Sequence, residues 1–145
     1  MKRSDSPRAH LLGTLEAFDG CSVSQLRELA RGIEEVEVPA GEQIVDEGSW
    51  GKHAFVLAEG LAHASVGGRG LGTIHPGQFF GELALLDGEP RSATVTAAKA
   101  SRVLILDSRR FSALVQTTPS VANRILQSFA ARLRSTDRLL VASAK

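Results

Sequence analysis

The sequence predicts a mainly β domain flanked by α-helices, an antiparallel sandwich or barrel with helices before and after it. Two observations carry this. From residue 34 to about residue 107, short apolar runs alternate with Gly- and Pro-containing turns, and strands of about five residues with a turn signal every eight to twelve read as antiparallel β structure. On either side the apolar residues recur at intervals of three and four instead, the period of helices that bury one face. A chain of 145 residues suits one domain, and at that size roughly 70% of the unfolded chain's surface can be buried without staples.

Residues 1–10 are polar and include Pro7, which predicts a flexible N-terminal arm, with one domain over 11–145. Leu11, Leu12, Leu15 and Phe18 fall at helical spacing. Ser22 or Ser24 can cap a second helix whose apolar face is Val23, Leu26, Leu29 and Ala30. From Glu34 the period changes: Val36 and Val38 alternate with Glu35 and Glu37, and Pro39-Ala40-Gly41 turns the chain. Strand candidates follow at Ile44-Val45, 53–58, 61–66, 71–74, 78–80, 93–97 and 101–106. They are separated by Glu47-Gly48-Ser49, Glu59-Gly60, Gly67-Gly68-Arg69-Gly70, Pro76-Gly77 and the interruption 82–91. Two C-terminal helices, over about 108–142, close the domain. Phe111, Leu114 and Val115 face inward on the first, and Thr118-Pro119 opens the second as an N-cap followed by proline at the first helical position.

That last helix carries a second pattern. Ala122, Leu126, Phe129, Leu133, Thr136 and Leu140 are spaced as an a/d heptad seam, which predicts a homodimer through the C-terminal helix. The alternative is one helix lying on its own β core.

The chemistry concentrates in Phe80-Gly-Glu-Leu-Ala-Leu-Leu-Asp-Gly-Glu-Pro-Arg-Ser-Ala-Thr-Val95. Gly81 allows close approach of the backbone and a positive φ. Residues 82–86 favour a single helical turn, whose N-terminal N–H groups favour an anion, and Asp87-Gly88 ends it. Arg91 then returns to the mouth of that turn. Its planar guanidinium suits the two free oxygens of a phosphodiester, with the Ser92 hydroxyl and the N–H groups of Ser92 and Ala93 as further donors. Glu82 cannot help an anion, but its carboxylate can accept a hydrogen bond from a ribose 2′-hydroxyl. One cation for a phosphate and one acceptor for a sugar describe a nucleotide whose phosphate lies near its ribose. The alternative for Glu82 and Arg91 is a salt bridge between neighbouring loops.

This segment resembles the phosphate-binding cassette of the cyclic nucleotide-binding domains, the family of the bacterial catabolite activator, the regulatory subunits of protein kinase A and cyclic nucleotide-gated channels. The likeness runs from about Leu11 to the final helix, with Pro39-Ala40-Gly41, Glu47-Gly48, Glu59-Gly60 and Pro76-Gly77 standing where that fold turns. It implies a jelly-roll-like antiparallel β-roll with N-terminal helices, a short cassette helix and two C-terminal helices. It also implies that Glu82 binds the ribose 2′-hydroxyl and Arg91 the cyclic phosphate, and that Gly81, Leu83, Ala84, Ser92 and Ala93 line the phosphate and sugar. Ala64 and Leu71 would touch the purine. Arg132 matches a base-capping arginine of a bacterial potassium channel, and Thr136 a polar position that the catabolite activator uses to read adenine. The alternatives are a solvated arginine and a tolerated polar residue in the seam. Family members that prefer cGMP often have threonine after the cassette arginine. Ser92 stands there, so the resemblance favours cAMP as ligand over cGMP, with no other cofactor.

Other classes fit less well. The four histidines, His10, His53, His63 and His75, lack the short spacing of a metal site on a β-barrel. Neither a nucleophile elbow nor a phosphate-binding P-loop is present, so no enzyme is expected. The net charge of +1, from 17 basic and 16 acidic side chains, supplies no basic footprint. No recognition helix follows the last helix, so DNA binding by this chain alone is not expected. Arg124, Arg132, Arg134 and Arg138 read as solvated flanks of the seam. A single cysteine, Cys21, excludes an internal disulfide. With no signal peptide or transmembrane run, a cytoplasmic protein without membrane contact is expected. The sequence thus points to a cyclic nucleotide sensor acting on an unknown effector. The alternatives are the ligand-binding fragment of a larger transcriptional regulator or channel, and an interaction module that no longer binds nucleotide, against which the intact Glu82 and Arg91 argue.

Overall fold

The computed structural model describes residues 5–144, and the side chains of residues 8–131 and of Arg134. Two four-stranded antiparallel sheets form a β-roll. One runs β1 (Glu34–Val38), β8 (Ser101–Asp107), β3 (His53–Glu59), β6 (Phe79–Phe80). The other runs β2 (Gln43–Val45), β7 (Thr94–Ala97), β4 (Ala62–Val66), β5 (Arg69–Ile74). Helices α1 (Asp5–Gly13) and α2 (Val23–Gly32), with a 3₁₀ turn at Glu16–Phe18 between them, precede the roll. The short α3 (Leu83–Asp87) interrupts it, and α4 (Ser108–Thr117) and α5 (Pro119–Ala144) follow. The β-roll fold expected from the sequence is the one observed.

Local chemistry sets the boundaries. Ser22 caps α2 through a capping box: its hydroxyl accepts from Gln25 N–H and the Gln25 side chain accepts from Ser22 N–H. Asp107 caps α4 by accepting from Arg110 N–H at 2.8 Å. At the N-terminus the structure differs from the expected arm over 1–10. α1 already begins at Asp5, because Ala9 and Leu12 are buried and Arg8 donates to the Ala30 carbonyl at 3.2 Å. A polar composition hid a helix whose buried residues, among those described, are Ala9 and Leu12. On α2, Leu29 and Ala30 are buried as expected, whereas Val23 at the first position is exposed.

The buried residues form two clusters. One lies between the β3–β8 face and the helices, with Leu12, Phe18, Val56, Leu104, Phe111, Val121 and Ile125; the other fills the roll, with Leu57, Phe80, Val95 and Val103. The two residues of β6 divide between them. Phe79 packs edge-on against both Phe18 and Phe111, and Phe80 stacks on Phe55 at 5.2 Å between ring centroids. Alternation along a strand sends neighbouring side chains to opposite faces, and here the opposite faces are two different cores.

α5 rests on the helical cluster through Val121 and Ile125, with Phe129 partly buried against it. Leu126, in the heptad seam, is 63% exposed. The two patterns therefore diverge at Leu126 but share Phe129, which belongs to the seam and also packs on the cluster. The start of α5 is held to the 3₁₀ turn by Arg124, which pairs with Glu16 at 2.6 Å and Asp19 at 3.1 Å.

Candidate functional site

The site is built where β6 leaves the roll. Gly81 takes a φ of +72°, a conformation that suits glycine. A side chain there would also collide, since its Cβ would lie 2.7 Å from Arg91 Nη1 and 2.9 Å from the Phe55 ring. Glu82 follows as the N-cap of α3, its backbone helical and its side chain only 1% exposed. Ala84 is buried and Leu83 partly buried, and Gly88 closes the helix in the left-handed conformation. Each of these steps follows the sequence expectation of a single turn between Gly81 and Asp87-Gly88.

Arg91 returns to the mouth of α3, as its spacing predicted. The residue is 8% exposed. Nη1 donates to the Gly81 carbonyl, Nη2 donates to the His53 carbonyl at 3.0 Å, and the cation lies 5.4 Å from the centroid of the Phe55 ring. Burial lowers the pKa of Arg91, and the nearby negative charge of Glu82 opposes that shift. A guanidinium starts so high that it stays charged at any physiological pH. With five N–H donors, it keeps capacity for an anion beyond these two carbonyls. The result is a buried cation and a buried carboxylate on the two limbs of one loop, a pairing that suits an anionic ligand carrying a hydroxyl donor.

The residues that hold Arg91 were not singled out by sequence. Its main chain exchanges two hydrogen bonds with the β2–β3 loop: Arg91 N–H donates to the Ser49 carbonyl and Gly48 N–H to the Arg91 carbonyl, both at 2.8 Å. Gly51 lies against the guanidinium. Glu47-Gly48-Ser49 read only as a turn, and Gly51 was not read at all, because nothing local reveals which distant strand a turn supports.

The other expected residues separate into three groups. Ser92, exposed, and Ala93, partly buried, lead from Arg91 into β7. Ala64 on β4 pairs with Val95 of β7, which brings it next to the strand that leaves the cassette. Leu71 is 52% exposed on β5, where the register with β4 shifts between Ala64 and Ser65. The side chains of Arg132 and Thr136 lie outside the described residues. Among the described residues no cluster of His, Cys, Asp and Glu could hold a metal ion, and no helix is long and apolar enough to cross a membrane.

The profile of the cyclic nucleotide-binding domain matches residues 35–118. A cyclic nucleotide-gated potassium channel of Mesorhizobium japonicum is 37% identical over 123 residues, which cover 84% of this chain and 34% of the channel. Among solved structures, cAMP-bound PfPKA-R superposes with a TM-score of 0.84 at 25% identity, over 93% of this chain and 47% of that one. The catabolite activator protein of Thermus thermophilus superposes with a TM-score of 0.73 at 28% identity, over 89% and 63%. The chain spans about a third of the length of the potassium channels it matches.

Proposed function

This chain belongs to the cyclic nucleotide-binding domain family, and on that premise we propose that it is a regulatory domain that binds cAMP in preference to cGMP. The observation that carries the reading is the burial of Arg91 and Glu82 on the two limbs of the 81–91 loop. Arg91 receives the cyclic phosphate, and Glu82 accepts from the ribose 2′-hydroxyl. Gly81, Leu83, Ala84, Ser92 and Ala93 line the phosphate and sugar, and Ala64 and Leu71 meet the purine. Ser92 in place of threonine, and Thr136 on α5, favour adenine. Relatives whose descriptions name cAMP include PfPKA-R and the cyclic AMP receptor protein of Thermus thermophilus, and one of Toxoplasma gondii names cGMP, so the choice of base rests on Ser92 and Thr136.

The output is mechanical rather than catalytic. Ligand drawn between the cassette and α5 repositions that helix, and so alters a homodimer seam or an effector surface. A ligand does this only by binding one helix position more tightly than the other. A cytoplasmic location belongs to the same proposal.

Calorimetric titration with cAMP and cGMP tests it. A folded sample that gives no heat with either refutes the reading. Arg91→Leu should weaken binding by at least about 2 kcal/mol, the scale of a lost charge-assisted contact. One observation favours a second reading, an interaction module that binds no nucleotide: two donors of Arg91 are engaged by the carbonyls of Gly81 and His53. The same titration separates the two.

A further inference from the structure

Glu47 joins three parts of the molecule that are distant in sequence. Its Oε1 accepts from Gly67 N–H at 2.9 Å, in the turn of the β4–β5 hairpin, and from the Thr94 hydroxyl at 3.4 Å, at the start of β7. Its own N–H donates to that hydroxyl at 3.1 Å. The next two residues, Gly48 and Ser49, exchange main-chain hydrogen bonds with Arg91. A continuous path therefore runs from the anion-binding arginine through the β2–β3 loop to the tip of the hairpin that carries Ala64 and Leu71.

The hairpin needs such an anchor. β5 is the edge of its sheet and pairs only with β4. The ladder between β4 and β7 ends at Ser65 and Thr94, while the hairpin continues to the pair Val66 and Arg69. Leu71 stands at the register shift opposite Ala64 and Ser65. Its position thus depends on a strand with one neighbour and on a glycine turn, Gly67-Gly68, that has little stiffness of its own. The carboxylate of Glu47 fastens that turn with a charge-assisted bond, roughly twice as strong as a neutral one.

We infer that Glu47 is a positioning residue for the base end of the ligand: it holds the β4–β5 hairpin, and with it Leu71, in register with the anion site. This rests on the reading that Ala64 and Leu71 meet the purine. Glu47 touches neither phosphate nor sugar in that reading, so its removal should act selectively on the base.

The test compares cAMP with ribose 3′,5′-cyclic phosphate, which lacks the base, on the full chain. Glu47→Ala, and the gentler Glu47→Asp whose carboxylate is one methylene too short to reach Gly67, should weaken cAMP about tenfold, the scale of one charged hydrogen bond. The abasic ligand should change by less than about twofold, and Glu47→Gln, which keeps an acceptor at the same reach, should recover most of the loss. Equal loss on both ligands, or no loss on either, overturns the inference. Hydrogen exchange at the Gly67 amide, measured without ligand, should speed up in Glu47→Asp and not in Glu47→Gln; unchanged protection in Glu47→Asp also overturns it. A parent that binds no cyclic nucleotide refutes the proposed function instead, and the Gly67 exchange reads the anchor independently of that result.

Discussion

Gly51 is packed against the guanidinium of Arg91 so closely that a Cβ at residue 51 would overlap Nε, Cζ and Nη2. Arg91 is thus positioned from three sides: the Gly81 and His53 carbonyls, the Phe55 ring and the bare backbone of Gly51. A cation fixed in this way needs little reorganisation when an anion arrives, which conserves binding free energy.

Gly51→Ala should therefore displace Arg91 without unfolding the roll. Cyclic nucleotide affinity is expected to fall about tenfold or more, on the scale of a misplaced charge-assisted contact. Calorimetry reads the affinity and circular dichroism the fold. Unchanged affinity would mean that the guanidinium can serve from another position.

Glu82 makes a prediction about the ligand. If its carboxylate accepts the ribose 2′-hydroxyl, Glu82→Ala and removal of that hydroxyl from cAMP delete the same bond. Each alone should cost about 1–3 kcal/mol, and the two together little more than one. Additive losses in such a cycle would place the 2′-hydroxyl elsewhere.

The cap of α4 responds to pH. The pKa of Asp107 is lowered, first by the hydrogen bond from Arg110 N–H and then by the Arg110 side chain and the charge of Arg109, with burial opposing them. Its folded value lies below the unfolded one of about 3.9. The stabilisation is therefore complete above that value and fades as pH falls through the depressed folded pKa. Asp107→Ala should cost about 1 kcal/mol at neutral pH, as N-cap losses do. Urea unfolding from pH 7 downward should show the difference from the parent shrinking below about pH 4. The ion pair with Arg110 is substantially exposed and contributes little of this.

Phe111 is fully buried and its ring meets Phe79 at 5.7 Å between centroids. Phe111→Ala should cost about 3–5 kcal/mol by creating a cavity in the helical cluster. The urea midpoint measures this, and a cost below about 1 kcal/mol would mean that α4 collapses into the space.

Much of this was legible in the sequence because the signals were local. A cap at Ser22 or Ser24, the alternation in β1 and the turn at Asp87-Gly88 each lie within a few residues of what they determine, and the structure selects Ser22. The chemistry of the cassette followed from Glu82 and Arg91, an acceptor and a planar cation on either side of one helical turn. What was not legible is long-range. Glu47 meets Gly67, twenty residues away, and Gly51 meets Arg91 across forty. Neither residue type advertises its partner. α5 shows a different difficulty, because Val121 and Ile125 face the core while Leu126 of the heptad pattern points outward, and two apolar stripes overlap in one string of residues.

The divided strand β6 fixes the point from which the cassette departs. Phe79 is fixed among Phe18 and Phe111 in one core and Phe80 against Phe55 in the other, so the backbone just before Gly81 is clamped in both layers at once. A swing of α3 cannot drag β6 with it without opening close-packed interiors on two sides. Any such rotation would fall to the dihedral angles of Gly81, the first residue beyond the clamp and one whose backbone is least restricted. Any displacement of α3 would therefore pivot at one glycine, beside a backbone anchored in two cores.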